Sequence, residues 1–255
     1  MKILHLFGPI YIQSYGICIA LGLLAFMNLM YRDARRAVLL TYDQFISLIT
    51  IGIAAAIIGG RVLYILTEFS YLHSINIFEI WHGGFSVLGS IIAVIATIPF
   101  FLNKHGIPLF STLDLCATYA PLLQSISRIG CFFAGCCFGK PTNSFFGIMY
   151  STPFEIAPAL IKIHPTQLYS SIILFSIFLF LYIYRKNNFF DGSFLYIYLV
   201  CASLERFFVD FFRGDQQFSN SLPLFSINQW LSLFIFCGAT CFFCIRYYNK
   251  SYEPL

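Results

Sequence analysis

The sequence predicts an all-α membrane protein that crosses the bilayer about seven times. Of its 255 residues, 10% are charged and 59% are hydrophobic, whereas about 25% of residues are charged in a soluble domain. A soluble protein of this length exposes too much surface to carry so few charges together with 31 Phe and 16 Tyr. The composition therefore excludes a secreted disulfide scaffold, a nucleic-acid-binding protein and a disordered chain.

Seven apolar stretches support this fold class, because each is close to the roughly 20 residues that cross the hydrocarbon core. They are residues 10–31, 45–66, 84–102, 112–133, 167–184, 193–212 and 227–245. The first stretch follows a single Lys and has no small-residue cleavage site. We therefore expect it to be a retained helix and not a signal peptide.

The loops between these stretches differ in basic charge, and cytoplasmic loops are the ones enriched in Lys and Arg. One set of loops carries eight basic residues, which are Arg32, Arg35, Arg36, Lys104, Arg185, Lys186, Arg246 and Lys250. The other set carries four, which are Lys2, Lys140, Lys162 and Arg213. The N-terminus is therefore predicted outside and the C-terminus in the cytoplasm. Residues 1–255 are predicted to form one transmembrane domain, with a small extracytoplasmic cap around 137–164.

Three arginines, Arg61, Arg128 and Arg206, fall within the predicted spans. A charged side chain inside a span costs roughly 2.5 to 3.5 kcal/mol on insertion scales, so each is a functional candidate by default. The alternative is that each guanidinium reaches the interface or pairs with a carboxylate, Glu205 and Asp210 being at helical spacing from Arg206.

The predicted topology places all three arginines at the depth of the outer leaflet. Tyr15, the turn at Gly83 and Gly84, and His164 before Pro165 fall at the same depth. A planar guanidinium meets phosphoryl oxygens through two parallel hydrogen bonds. The pattern predicts a binding site for a phospholipid headgroup, in either a membrane enzyme or a lipid transporter.

Short motifs spread along the chain resemble, in this order, those of the prolipoprotein diacylglyceryl transferase family. They are 8–9 (GP), 15–16 (YG), 59–64 (GGRVLY), 81–86 (WHGGFS), 127–130 (SRIG) running on to Gly135 and Gly139, 164–169 (HPTQLY), 206–213 (RFFVDFFR) and 229–232 (QWLS). The resemblance implies a multi-pass enzyme of the bacterial inner membrane whose active site faces the outer leaflet. Its substrates would be phosphatidylglycerol and the lipobox peptide of an exported prolipoprotein. The enzyme would move a diacylglyceryl group onto the lipobox cysteine and release glycerol phosphate, without a cofactor or metal.

The resemblance also implies roles for individual residues. Arg128 and Arg206 would bind the phosphate and stabilise the charge that develops on it, supported by Arg61 and Arg213. Tyr15 would orient the headgroup through its hydroxyl. The other candidate substrate-binding residues are Gly83, Gly84, Ser86, Gly130, Gly139, Gln167 and Asp210.

The sequence departs from the family pattern at several polar positions. Leu88 stands where the family has the histidine expected to act as acid and base, and Cys131, Ala134 and Cys136 replace Asn, Asn and Glu. We expect His82 or His164 to supply the missing base, since either imidazole titrates near neutral pH. The alternatives are that His82 belongs to an interfacial aromatic belt beside Trp81 and that His164 caps a turn.

Three of the nine cysteines, Cys131, Cys136 and Cys137, lie at the predicted outer end of the fourth span. Three interpretations stay open: packing or a local disulfide, a reactive thiol, and a metal site completed by His82 or His164. Their spacing does not match a zinc motif. Two other functions also stay open: an enzyme that uses phosphatidylglycerol with a different acceptor, and a non-enzymatic lipid transporter or lipid-binding protein.

Overall fold

The computed structural model describes residues 2–7, 10–67, 84–150, 158, 160–187, 190–214, 218–219 and 222–251. The chain divides into two compact units. Unit 1 comprises Met1–Leu4, Ile12–Met30 and Leu113–Leu255, and unit 2 comprises His5–Tyr11 and Tyr31–Thr112.

The described residues form eight helices and six short strands. The helices are α1 (Ser14–Arg32), α2 (Ala34–Leu39), α3 (Tyr42–Thr67), α4 (Val87–Lys104), α5 (Leu109–Ala134), α6 (Thr166–Tyr184), α7 (Ser193–Asp210) and α8 (Ile227–Ser251). The strands are β1 (Lys2–Phe7), β2 (Ile10–Gln13), β3 (Ile148–Met149), β4 (Lys162–Ile163), β5 (Phe218–Ser219) and β6 (Leu222–Ser226), and they pair in three two-stranded sheets.

Reciprocal side-chain caps fix where two of the long helices begin. Before α3, the Thr41 backbone N–H donates to Gln44 Oε1 (2.9 Å) and the Gln44 N–H donates to Thr41 Oγ1 (3.3 Å). Before α8, Ser226 and Gln229 exchange the same pair of bonds at 2.9 and 3.1 Å. Each capping box satisfies two backbone donors that have no partner in the first helical turn.

A side chain from another helix caps α7. The Asp114 carboxylate, on α5, accepts hydrogen bonds from the backbone N–H groups of Gly192 (2.7 Å) and Leu195 (2.8 Å). Gly192 has φ 98°, a left-handed conformation that glycine adopts without steric cost. A negative charge at a helix N-terminus is favoured by the helix dipole, so Asp114 joins α5 to the start of α7.

Small residues allow close packing of α3 against α4 in unit 2. A Cβ atom added to Gly59 would lie 2.2 Å from Ala93 Cβ and 2.6 Å from the Gly89 carbonyl oxygen. Ser90 Oγ donates to the Ala56 carbonyl oxygen at 2.7 Å. Close backbone approach with a polar bond is how helices associate in lipid, where the hydrophobic effect between them is absent.

The helices have the length and polarity of a polytopic membrane protein. Within the described ranges, α1, α3, α4, α6 and α8 are long and apolar enough to cross a bilayer. Their outer faces carry exposed large side chains such as Leu24, Ile95 and Phe234, which are 62%, 66% and 78% exposed. These surfaces match a lipid environment, and they confirm the predicted class of helical membrane protein.

Each of the seven predicted stretches overlaps one of the eight helices, of which five are long and apolar enough to cross a bilayer, and several ends differ. The first stretch was expected to begin at residue 10, but residues 10–13 form β2 and the helix begins at Ser14. The third was expected from residue 84, but residues 84–86 precede the helix, and Ser86 caps α4. The polar segment 137–164 contains the antiparallel pair β3–β4, with Ile148 opposite Ile163.

Candidate active site

A short extended segment in unit 1 is hydrogen-bonded on both sides. Gly139 N–H donates to the His164 carbonyl oxygen (3.0 Å), and Lys140 N–H donates to the Phe212 carbonyl oxygen (2.8 Å). A Cβ atom at position 139 would lie 2.4 Å from the first oxygen and 2.9 Å from the second. Only glycine fits there, because backbone atoms cannot move aside as flexible side chains do. Gly139 therefore links the segment after α5 to the residues just before α6 and just after α7.

Asp210, at the end of α7, organises two arginines. Its carboxylate is fully buried, and its Oδ1 lies 3.8 Å from Arg206 Nη2 and 3.8 Å from Arg213 Nε. Ser226 Oγ donates to the other carboxylate oxygen. One buried carboxylate thus lies near two guanidinium groups, so the pairing of Arg206 with a carboxylate, given above as the alternative to a functional role, is present at Asp210.

Arg128 on α5 completes a group of three guanidiniums. Arg128 and Arg213 both lie close enough to Arg206 for their positive charges to interact. Arg128 also lies within electrostatic range of Glu205, a buried carboxylate that accepts a hydrogen bond from Ser170 Oγ on α6. Within the described part of the chain, Arg128 makes no hydrogen bond or ion pair. Three arginines and two carboxylates leave a net positive charge, which suits an anionic ligand.

Tyr15 packs against the last turns of α5. A Cβ atom at Gly130 would lie 2.9 Å from Cys18 Cβ and 3.3 Å from Tyr15 Cδ2. Gly130 therefore lets α1 approach α5 closely at this level. The Tyr15 ring lies within electrostatic range of Cys131 and the two cysteines after α5.

Helix α5 ends in a Schellman motif that contains two cysteines. Gly135 N–H donates to the Phe132 carbonyl oxygen (3.3 Å), and Cys136 N–H donates to the Cys131 carbonyl oxygen (3.2 Å). Gly135 has φ 71°, the left-handed conformation that this motif requires. The motif brings the side chains of its first and last residues into contact, which here are Cys131 and Cys136.

The third cysteine turns back toward the other two. Cys137 has φ 59°, an uncommon value for a residue other than glycine. Thr166 Oγ1 donates to the Cys137 carbonyl oxygen and Gln167 Nε2 to the Cys136 carbonyl oxygen, both at 2.7 Å. The three sulfur atoms lie within 4.8 Å of one another, and all three thiols are free.

The thiols and arginines interact electrostatically. Hydrogen bonds from Cys131 and Cys136, with the positive charges of Arg213 and Arg128, lower the pKa of the Cys137 thiol. The hydrogen bonds to Cys131 and Cys137 raise the pKa of the Cys136 thiol.

His164 lies in an aromatic cluster next to this region. Its Nδ1 is 3.2 Å from the Tyr169 hydroxyl, and its ring centroid is 5.3 Å from that of Phe212. The His164 carbonyl oxygen accepts from the Gly139 N–H, as described above, and the His164 N–H donates to the Lys140 carbonyl oxygen (3.1 Å). The residue thus fixes the connection before α6 with its backbone and contacts Tyr169 with its ring.

In unit 2, Arg61 folds over the turn before α4. Its Nη1 donates to the Gly84 carbonyl oxygen (3.0 Å), and its guanidinium lies 5.7 Å from the Tyr64 ring and 5.8 Å from the Phe85 ring. Gly84 has φ 79°, and a Cβ atom there would lie 2.6 Å from Tyr64 Cε1. Arg61, Gly84 and the capping Ser86 thus form one compact corner of unit 2.

A family model for prolipoprotein diacylglyceryl transferase matches residues 2–245. The chain belongs to the prolipoprotein diacylglyceryl transferase family. Among similar proteins is the phosphatidylglycerol–prolipoprotein diacylglyceryl transferase of Clostridium tetani, 34% identical over 90% of this chain and 91% of the relative. Transferase 2 of Clostridium perfringens is 34% identical over 89% and 88% of the two chains. The Ligilactobacillus salivarius enzyme is 31% identical over 97% and 93%.

In this member of the prolipoprotein diacylglyceryl transferase family, the structure groups most of the predicted site residues within the two units. Unit 1 holds Tyr15, Arg128, Gly130, Gly139, His164, Gln167, Arg206, Asp210 and Arg213, and unit 2 holds Arg61, Gly84 and Ser86. His82 and Gly83 lie outside the described residues. Leu88, where the family has its histidine, is 55% exposed on the second residue of α4.

The sequence analysis assigned no role to several polar residues around the candidate site. Ser170, Ser226 and Gln229 support the buried carboxylates or the start of α8. Ser226 and Gln229 carry a signal, since Ser-x-x-Gln before an apolar run is a capping box. Ser170 carries none, because its partner Glu205 is 35 residues away in the chain.

Proposed function

We propose that this chain transfers the diacylglyceryl group of phosphatidylglycerol to the cysteine thiol of a prolipoprotein lipobox peptide. The observation that carries the proposal is the group formed by Arg128, Arg206 and Arg213 in a chain of this family. The names of its relatives state phosphatidylglycerol as the donor and a prolipoprotein as the acceptor. Nucleic acid is not among the proposed partners.

The proposed reaction is a substitution at carbon. The acceptor sulfur attacks the diacylglyceryl carbon that carries the phosphate ester, so that an S–C bond forms and the C–O bond breaks. The electron pair leaves with the ester oxygen as glycerol phosphate, and the thiol proton passes to a base. An ordinary thiol has a pKa of about 8.5 and is mostly protonated near pH 7, so the reaction needs help in forming the thiolate.

The arginines stabilise the phosphate as it gains charge on leaving. Arg128 has no hydrogen bond or ion pair within the described residues, so its donors are available for a phosphate, whereas Asp210 orients Arg206 and Arg213. We assign Arg128 and Arg206 as catalytic residues and Arg213 as a phosphate-binding residue. Donors that are fixed in advance lose little free energy in reorganising when charge develops.

The remaining candidates surround this group. Tyr15, Gly130, Gly139 and Gln167 are proposed to shape the headgroup site in unit 1, and Arg61, Gly83, Gly84 and Ser86 to bind substrate in unit 2. His82 and His164 are proposed as proton acceptors. The contact of His164 Nδ1 with Tyr169 leaves its Nε2 for that role.

The proposal includes a topology in the bacterial inner membrane. Seven helices cross the bilayer, with α5 and α7 carrying their charges inside the bundle, and the N-terminus lies outside. The basic loops are then cytoplasmic, and the three arginines face the outer leaflet. The segment 137–164 forms a small cap on one transmembrane domain.

Substitution of Arg128 tests the proposal. Purified protein is mixed with phosphatidylglycerol that carries a radiolabel in its acyl chains and, in a parallel sample, in its terminal glycerol. A lipobox peptide and its Cys→Ser version serve as acceptors. We expect acyl label on the Cys peptide alone, and a loss of about 100-fold or more in rate with Arg128→Ala, as for other removed charge-stabilising donors. Arg32→Ala, at the exposed end of α1, is the matched control and should keep the wild-type rate.

Other outcomes identify the competing functions. Release of glycerol phosphate without labelled peptide would indicate a different acceptor. If neither product forms although the lipid binds, the chain is a lipid-binding or transport protein and the proposal is wrong. Full activity of Arg128→Ala would show that this arginine has no role in the reaction.

A further inference from the structure

The cysteine cluster at the end of α5, formed by Cys131, Cys136 and Cys137, has the geometry of a metal site. The spacing of these residues in the sequence did not predict such a site. In tetrahedral zinc sites, Zn–S bonds of about 2.3 Å place the sulfur atoms about 3.8 Å apart. The three sulfurs of Cys131, Cys136 and Cys137 lie within 4.8 Å of one another. Small side-chain rotations therefore bring them to ligand distance, whereas a disulfide needs two of them at about 2.05 Å and leaves the third unused.

The backbone that carries these sulfurs is fixed before any metal binds. The Schellman motif sets Cys131 against Cys136, and the left-handed conformation of Cys137 brings in the third sulfur. Thr166 and Gln167, at the start of α6, hold the carbonyl groups of Cys137 and Cys136. Partners of this kind orient the ligands of a metal site and raise its affinity.

Nearby positive charges offset the negative charge of such a site. Three thiolates and one Zn²⁺ carry a net charge of −1. Arg213 and Arg128 lie within electrostatic range of Cys137 and offset this charge. Soft thiolate ligands select zinc or Cu(I) over Mg²⁺ or Ca²⁺, and zinc accepts four ligands.

We propose that Cys131, Cys136 and Cys137 bind one Zn²⁺ as thiolates and that its fourth position takes the thiol of an incoming peptide. The identity of that fourth ligand rests on the proposed function. Binding of the metal displaces three thiol protons to solvent. The peptide thiol then replaces the water at the fourth position, passes its proton to the base of the proposed reaction and becomes a zinc-bound thiolate beside the proposed phosphate-binding arginines. A metal-bound thiol is deprotonated outright, so this site supplies the nucleophile that the substitution needs.

The first test measures metal in the purified full-length protein. We expect one zinc per chain in the wild type and less than a tenth of that in Cys136→Ser and Cys137→Ser. Cys237→Ser, at an exposed cysteine of α8, is the matched control and should keep its zinc. Cobalt added to the metal-free protein should give sulfur-to-cobalt charge-transfer bands in the wild type and the control only.

Either of two metal-binding results would overturn the metal site, as would a third result given at the end. One is a wild-type protein with all three thiols free that takes up neither zinc nor cobalt. The other is zinc uptake that is the same in the Cys136→Ser and Cys137→Ser variants as in the wild type, which would indicate adventitious binding. A native disulfide between two of the three cysteines, found by mass spectrometry of unreduced protein, also contradicts it.

The second test examines the fourth position. A lipobox peptide added to the cobalt protein should increase the charge-transfer intensity by roughly one third, since four sulfurs replace three. The Cys→Ser peptide should leave it unchanged. If the peptide leaves the charge-transfer intensity unchanged but is still labelled in the transfer assay, its thiol is not the fourth ligand. The proposed function then stands. Metal binding without any transfer would instead overturn the proposed function and leave the three-thiolate site.

Discussion

At the scale of single residues, Asp210 determines where two of the three site arginines lie. Its carboxylate is fully buried between Arg206, Arg213 and Ser226. Breaking a buried pair leaves an uncompensated charge, which is costlier than losing an exposed pair. The geometry of the proposed phosphate site therefore depends on a buried carboxylate between two of its arginines.

Asp210→Asn should lower the rate of transfer about tenfold or more, equal to about 1.4 kcal/mol of transition-state free energy. The amide keeps the shape of the side chain but loses the charge that orients both guanidiniums. Ser226→Ala is the comparison, since it removes a hydrogen bond to the carboxylate and leaves the charge in place. The transfer rates of both variants are measured at steady state with labelled phosphatidylglycerol. An equal loss of rate in Asp210→Asn and Ser226→Ala would contradict a role for the charge.

The cysteine cluster illustrates what residue spacing cannot predict. Cys131, Cys136 and Cys137 have no recognised metal-ligand spacing, and a helix continued past Ala134 would separate their side chains. The left-handed turns at Gly135 and Cys137 bring the sulfurs together. Gly135 at a helix end is a visible signal for such a turn, but the conformation of Cys137 depends on the hydrogen bond from Thr166, 29 residues later.

At the scale of elements, the long helices were predictable and the short strands were not. Apolar stretches of about 20 residues identify helices by composition alone. The segment at Gly139 and Lys140 instead depends on backbone bonds to His164 and Phe212, which are distant in sequence. Two-residue strands such as β3 and β4 are too short to show an alternating pattern.

The α3–α4 pair gives a prediction at this scale. Gly59→Leu should destabilise unit 2, because even a Cβ atom added at this position would lie 2.2 Å from Ala93 Cβ. Overpacking of this kind typically costs about 1 to 3 kcal/mol. Ile58→Leu, at a neighbouring position that is 63% exposed, is the control. Thermal unfolding in detergent should show a lower midpoint for Gly59→Leu alone, and equal midpoints would argue against tight packing at Gly59.

At the scale of the whole molecule, the distribution of basic residues predicts the orientation in the membrane. The eight Lys and Arg of one loop set include Arg246 and Lys250 near the C-terminus. A green fluorescent protein fused after Leu255 should therefore fluoresce, and an alkaline phosphatase fused there should be inactive. The same two reporters fused after Lys140 should give the opposite pair of results. An active phosphatase at the C-terminus would reverse the orientation and place the arginines at the inner leaflet.

The two ends of α7 are held by different partners within unit 1. Asp114 bonds to the backbone at its first turn, and Asp210 joins its last turn to Ser226 and the arginines. A slide or rotation of α7 along its axis would break bonds at both ends simultaneously. Helix α7 is thus fixed at both ends within unit 1, and we expect any lateral opening for a lipid in this unit to lie between other helices.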